Sequence, residues 1–420
     1  MNSEQRLLVL GAGRYQLRLI KQAEKRGIRT VISDYLTDSP GRAFCSYQTM
    51  TDVMDIDANI ALGREFGVAG VITSGTDQAL NTMASTADAL QLPCYLTPQA
   101  ANICTNKQAM TQVMEQAGLP RPRSLIVSRE KPIHAKDMHL HYPVVIKPTD
   151  AQGQRGTSII ETPDRFSSAI EAALDASRCG NAIIEEFIVG PEITVCAWLH
   201  NGDATLLTVT DRVTYNAPPA VGVCFQHVFP SHHAAQLTRE IRTLMVDLGA
   251  AYGVSHGPLY VQMIVGHEQL YFVEGSCRVG GGHEDSLIPL VTGINITDLL
   301  IDLALTGRAA PLDYSFDPQK VKHHALVNFI LARPGSITAQ SLPNPDTTEE
   351  LVENGYYYRE GYEQRTIVNA LGRIGYFICT APDRETLMQR ARTLYENHHV
   401  YDDTGKEMIF WPDDPHMIGR

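Results

Sequence analysis

At 420 residues, 44% of them hydrophobic and 20% charged, the chain is too long for one core and too apolar for a disordered scaffold, so two or three globular domains are expected. A formal charge of −12, from 35 Lys and Arg against 47 Asp and Glu, argues against a nucleic-acid surface, which depends on clustered cations. It leaves room for a nucleotide held in a cleft by a few local cations and backbone amides.

The first hundred residues alternate short apolar runs, at 7–10, 30–33 and 70–73, with helical patterns, which predicts a parallel sheet with right-handed crossovers. In such sheets ligands sit beyond the carboxyl ends of the strands, where residues 11–13 and 74–77 fall. A helix over 106–118 closes this unit. Leu119-Pro120-Arg121-Pro122 reads as a linker, because each proline disfavours helix in the residue before it. A second unit has strands at 143–147, 158–161 and 182–187, a helix over 166–175, antiparallel strands at 192–199 and 205–211, and a helix over 234–252. It continues with a hairpin of 259–265 and 269–274 and a helix over 295–305. Past Gly307, loops and β patterning prevail, with a strand at 375–380 and a helix from Asp383. The expected class is therefore α/β (α+β), in units of 1–120, 121–310 and 311–420. No apolar run reaches the roughly 18 residues of a membrane span and no leader pattern precedes the first strand, so a cytoplasmic location without membrane contact is expected. The eight cysteines are scattered without a CxxC pair, as reduced, mostly buried thiols would be.

Gly11-Ala12-Gly13 after a strand, with Asp34 ending the next, invites a dinucleotide-binding fingerprint. Gln16 stands where the third glycine of that fingerprint belongs, and its side chain would crowd the helix against the strand. An α/β module with a tight first loop is the competing reading.

A richer constellation lies in the second unit. Lys147 ends a strand beside a loop containing Gly153, Arg155, Gly156 and Ser158, a combination of cations and bare backbone suited to phosphate oxygens, although a solvated turn would look the same. Further on, a hydrophobic strand ends at Glu185-Glu186-Phe187-Ile188 and turns through Gly190-Pro191 to Glu192. Such an edge backbone and acid could meet an adenine and ribose, or could be a surface turn. In the hairpin, strand alternation can set Gln262 and Glu274 on one face. A carboxylate in that apolar setting calls for a hard cation or for Arg278 as its partner.

Lys107, the run from Lys147 to Ser158, the segment Glu185 to Glu192, and Gln262 ahead of Glu274-Gly275-Ser276-Cys277-Arg278 together resemble the ATP-grasp superfamily, closest to its carboxylate–amine ligases. The resemblance implies an N-terminal parallel-sheet domain, a central two-lobed ATP-grasp fold and a small C-terminal α+β domain. It implies that Lys107 and Lys147 contact ATP phosphates and that a loop with Gly153, Arg155, Gly156 and Ser158 closes over them. Glu185, Glu186 and Ile188 would hold adenine and Glu192 the ribose. Gln262 and Glu274, with Ser276 in the place of a usual Asn, would ligate Mg²⁺ or Mn²⁺. Arg278, with Lys147, would stabilise the transferring phosphoryl group. His227 and His283 are candidates for the base that activates the amine. The implied partners are a small-molecule carboxylate and an amine, with a homodimer as an assembly to test. The competing functions are a purine-pathway carboxylase or formyltransferase, an NAD-dependent oxidoreductase using the first unit, and a non-catalytic nucleotide-binding module.

Overall fold

The computed structural model describes residues 5–151 and 154–412. The chain begins with β1 (Arg6–Leu10), α1 (Arg14–Lys25), β2 (Arg29–Ser33), β3 (Tyr47–Thr49), α2 (Ile56–Phe66), β4 (Gly70–Ile72), α3 (Leu80–Ala89), α4 (Pro98–Thr105) and α5 (Lys107–Gln116). Its strands form a parallel sheet in the order β3-β2-β1-β4. Leu7, Leu8, Val9 and Leu10 are all fully buried, as expected of a strand covered on both faces by helices. Asp55, Thr97 and Asn106 cap α2, α4 and α5 by accepting backbone N–H bonds from the first turn.

A small lobe follows from β5 (Ser124–Ser128), β6 (Val144–Pro148), β7 (Ser158–Ile160), α6 (Phe166–Ala176) and β8 (Asn181–Glu186). Its antiparallel sheet runs β5-β8-β6-β7, with Phe166, Ala169 and Ala173 of α6 packed against Val144, Ile146 and Ile184.

The chain then enters β9 (Glu192–His200), β10 (Asp203–Tyr215), β11 (Val223–Phe229), α7 (Ala234–Tyr252), β12 (Gly257–Val265), β13 (Leu270–Ser276), α8 (Glu284–Thr292), α9 (Ile296–Thr306) and β14 (His324–Leu331). Beyond these lie β15 (Gly335–Ser336), β16 (Ala339–Ser341), β17 (Leu351–Tyr356), β18 (Glu363–Gln364), β19 (Arg373–Ala381), α10 (Arg384–Glu396) and β20 (His399–Tyr401). One eight-stranded sheet in the order β13-β12-β9-β10-β11-β14-β19-β17 crosses the expected break near residue 310 without interruption. Gln226 of β11 faces Asn328 of β14, and Asn328 faces Phe377 of β19. The strands of 311–420 thus continue the central sheet and cover what would otherwise be an open edge at β11. A second core packs Leu387, Ala391 and Leu394 of α10 with Ile374, Phe377 and Cys379 of β19, and it includes Val223, Phe225 and Val228 of β11.

The parallel sheet, α/β class and large antiparallel sheet match the sequence-based expectation. The strands β3, β5, β11, β14 to β18 and β20 were not individually predicted. Among the described residues no single helix is long and apolar enough to cross a membrane.

Candidate active site

The small lobe and the large sheet meet along a cleft whose floor is set by strand register. Val145 of β6 lies opposite Glu185 of β8, and Lys147 is two residues further along β6 on the same face, so Lys147 and Glu185 are diagonal neighbours. Their side chains close an ion pair of 2.6 Å, with Lys147 only 9% exposed. Lys107, at the first position of α5, comes from the other side. Its backbone N–H bonds to Thr149 O at 2.8 Å and its Nζ donates to Ala151 O at 2.7 Å. Burial, opposed by Glu274 and reinforced by neighbouring Lys147, lowers the Lys107 pKa from its ordinary value. Lys107, Lys147, Glu185 and Phe272 line one cleft of about 290 Å³ including its open mouth.

Gln262 of β12 is paired directly with Glu274 of β13, and the register shifts immediately after Gln262. The bulge leaves both side chains on one face at the point where the ladder is broken. The Gln262 amide N donates to Tyr260 Oη at 3.3 Å. Glu274 has no ion pair or hydrogen bond with the described residues, although Lys107, Arg212 and Arg278 all feel its charge. Of the two partners expected for Glu274, a hard cation or Arg278, the arginine does not pair with it. Arg278 instead forks onto Asp77, Nε to Oδ1 at 2.7 Å and Nη2 to Oδ2 at 2.8 Å, and lies over the Tyr260 ring at 4.5 Å. Ser276 Oγ donates to Asp77 Oδ1 at 2.5 Å, so its hydroxyl is committed to the amino-terminal domain. Burial pushes the Asp77 carboxyl up, but Arg278 and Ser276 outweigh it and hold the pKa below the ordinary value.

Other expected residues have partners of their own. Glu192 is held by Arg212 at 2.5 Å, and Arg212 also donates to Gly222 O at 3.0 Å. Glu186, at the end of β8, pairs with Arg123 at 2.8 Å. The N–H groups of Glu186 and Phe187 donate to Arg123 O and Pro143 O, and the Ile188 N–H has no partner among the described residues. Gly156 has φ +71°, and Ser158 opens β7. Arg155 is exposed, and Gly153 lies outside the described residues.

A second cluster adjoins Arg278. His227 on β11 is buried 3.7 Å from Glu284 Oε1 and 3.3 Å from the Cys224 sulfur. Burial, with Arg212 and Arg373 nearby, lowers its pKa to about 3. Burial raises that of Glu284. The glycines at 280–282 are required by crowding, since a Cβ on Gly280 would lie 2.5 Å from the Glu284 carboxyl and one on Gly282 would lie 2.7 Å from His227 Nε2. His283 adopts φ +65°, stacks on Tyr376 at 3.6 Å and shares a 2.7 Å hydrogen bond with Tyr357. It therefore sits in an aromatic stack that fixes its orientation. Sequence reasoning placed Asp77 at a strand end where ligands sit but not as the partner of Arg278, and it did not find Arg14, Tyr15, Arg212, Glu284 or Arg373. Glu284 directly follows His283 and Arg14 follows Gly13, but only the fold brings them together.

The dinucleotide fingerprint is not realised in this geometry. Asp34 is buried, and its carboxylate accepts bonds from Ala12 N, Leu36 N and Ser39 Oγ. Gln16 fills the space beside Gly11 and donates to Ser74 O at 2.5 Å.

A family profile for the ATP-grasp domain matches residues 140–285. The chain is 26% identical over 311 residues to the formate-dependent phosphoribosylglycinamide formyltransferase of Bordetella bronchiseptica, covering 72% of this chain and 75% of that one. Its fold superposes on the L-amino acid ligase from Bacillus licheniformis with a TM-score of 0.78 at 20% identity, covering 96% and 100% of the two chains. The corresponding values for phosphoribosylglycinamide synthetase from Anaerococcus prevotii are 0.74, 21%, 95% and 100%. Residues 140–285 are thus an ATP-grasp domain. The relatives and neighbours that share this domain include an amino-acid ligase and a formyltransferase, and ATP-grasp ligases of that kind are ATP-dependent enzymes that form C–N bonds.

Proposed function

We propose that this protein phosphorylates a small-molecule carboxylate with ATP and transfers the activated acyl group to an amine, releasing ADP and phosphate. The observation that carries the reading is Glu274, a carboxylate without a side-chain partner among the described residues, paired in register with Gln262 and acting on the cation Lys107. One carboxylate and one amide oxygen do not make a metal cage, and no group of three His, Cys, Asp or Glu among the described residues does so. They do suit Mg²⁺ or Mn²⁺, which a protein commonly holds by one or two ligands together with substrate phosphates. Such an ion would neutralise charge on the phosphates.

Lys107 and Lys147 then take phosphate oxygens, and the segment with Gly153, Arg155, Gly156 and Ser158 covers them. The open Ile188 N–H, beside Glu185 and Glu186, offers a donor to adenine. Glu192, held by Arg212, faces the ribose. Ser276 is assigned to Asp77 rather than to a second metal. Arg278, oriented by its fork on Asp77, neutralises the transferring phosphoryl group. A carboxylate oxygen in line with the γ-phosphorus becomes an acyl phosphate, and the amine nitrogen attacks its carbon as phosphate leaves.

Phosphate release from ATP, screened over carboxylates paired with amines, tests the proposal. The expected result is turnover that requires both partners. Release confined to a purine ribonucleotide would move the assignment to the purine-pathway carboxylase or formyltransferase reading. ATP binding without turnover across the panel would favour a non-catalytic module.

A further inference from the structure

The second cluster holds three buried or half-buried groups whose charges are left uncompensated. Glu284 Oε2 accepts the Gly282 N–H at 2.6 Å, whereas Oε1 is buried without a hydrogen-bond partner. Glu284 is 2% exposed, and among the described residues the only basic group within ion-pair reach is His227, whose Nδ1 is itself buried and unpartnered. Arg14 donates to Tyr15 Oη at 3.1 Å and stacks over Tyr357 at 3.8 Å. Arg373, 6% exposed, donates its Nε to Ala370 O and stacks over Phe329 at 3.9 Å. Among the described residues neither arginine has a carboxylate partner. Tyr15 joins the two poles, since its hydroxyl feels Arg14 and Arg373 on one side and Glu284 on the other. A Cβ on Gly281 would lie 3.4 Å from the Tyr15 ring, so the loop after Arg278 borders the same space.

Buried charges of opposite sign, kept apart and unpaired, are costly unless a ligand completes them. We propose that this cluster is the acceptor pocket and that it selects an amine bearing an anionic group, the ammonium binding at Glu284 Oε1 and the anion at Arg14 and Arg373. The inference rests on the ligase reading and names the substrate class of its second half-reaction. Glu284 takes one proton from the ammonium, which frees the nitrogen lone pair. The C–N bond forms, the bond from the acyl carbon to the phosphate oxygen breaks, and the second nitrogen proton leaves with the phosphate. His227, neutral and 3.7 Å from Oε1, positions the carboxylate.

Carboxylate and phosphate satisfy two arginines equally well, so the test includes both anions. Calorimetry with the full-length protein would compare α-amino acids, β-alanine and O-phosphoethanolamine with their uncharged counterparts, the amino-acid amides and ethanolamine. At least one anionic amine is expected to bind ten or more times tighter than its counterpart, and the better series identifies the anion. Arg14→Met and Arg373→Met should bring that ratio near one. Glu284→Gln should weaken both members of the pair about tenfold, with ATP affinity, the control for folding, changed less than twofold in all three variants. An undiminished preference in Arg373→Met, uncharged amines bound as tightly as anionic ones, or no amine bound by a protein that binds ATP would each overturn the assignment. Anionic amines bound with the expected preference by a protein that does not bind ATP would uphold the pocket and sink the ligase reading instead.

Discussion

Asp77, in the loop after β4, and Arg278, just beyond β13, are 201 residues apart in sequence and joined by two hydrogen bonds of 2.7 and 2.8 Å. The pair ties the amino-terminal domain to the end of the hairpin that carries Glu274. It also fixes the guanidinium plane, with Ser276 as a third member. Removing one partner from a buried pair costs about 3–5 kcal/mol, because the other charge is left stranded. Asp77→Ala should lose stability of that order in urea denaturation and should also lose turnover. The Asp77→Ala/Arg278→Ala double variant should fall short of the summed single losses by at least about 1 kcal/mol. Simple additivity would show that the fork is not coupled.

Glu274→Ala deletes the one carboxylate assigned to the metal while leaving Ile188, Glu185 and the lysines in place. Nucleotide binding should be reduced but measurable, and turnover should be absent. Gln262→Glu places a second carboxylate opposite the first and should lower the Mg²⁺ concentration needed for half-maximal activity. A folded but inactive Gln262→Glu protein would show that added charge at this position is harmful.

These residues were legible because strand alternation is a strict rule. A hairpin over 259–274 puts Gln262 and Glu274 on one face once its register is fixed, and Lys147 at the end of an apolar strand faces a cleft for the same reason. The partners of the charges were not legible. Arg278 could have paired with Glu274 four residues away, and nothing local points to Asp77. Strand β11 was hidden by Gln226 and His227, buried polar residues that break an apolar run, and Gln226 is accommodated only because its amide donates to Asn328 on β14 at 2.8 Å. The same long-range pairing carries the sheet past residue 310, where composition alone suggested a separate unit.

Lys147 and Asp34 separate ATP from NAD as the bound nucleotide. Lys147→Ala removes a charge-assisted phosphate contact of about 1.5–3 kcal/mol, so ATP affinity should fall roughly 10- to 150-fold. Asp34 already accepts three bonds from its own domain, so Asp34→Ala should lower the denaturation midpoint without altering ATP affinity. Calorimetric titration of both nucleotides into both variants checks this. Unchanged ATP binding in Lys147→Ala, with NAD binding lost in Asp34→Ala, would reverse the assignment of both nucleotide and domain.

His227 gives the stability a pH dependence whose sign follows from its environment. Burial, Arg212 and Arg373 lower its pKa to about 3, from an ordinary value of 6.5 in the unfolded chain. Between those values the unfolded state binds a proton that the native state refuses. The stabilisation from a neutral His227 is therefore fully present above about pH 6.5 and is lost progressively as the pH falls toward 3. At 1.36 kcal/mol per pH unit, the difference accumulated between pH 7 and pH 5 is about 2 kcal/mol. Other groups titrate over the same range, among them His398, lowered to about 4, so the contribution must be read by subtraction. His227→Gln keeps a polar side chain of similar reach and removes the titration. Urea denaturation at pH 7 and pH 5 should show the wild-type protein losing about 2 kcal/mol more than His227→Gln. Equal losses would mean that His227 takes up its proton in the folded state, and that the imidazole beside Glu284 is charged rather than neutral when the amine arrives.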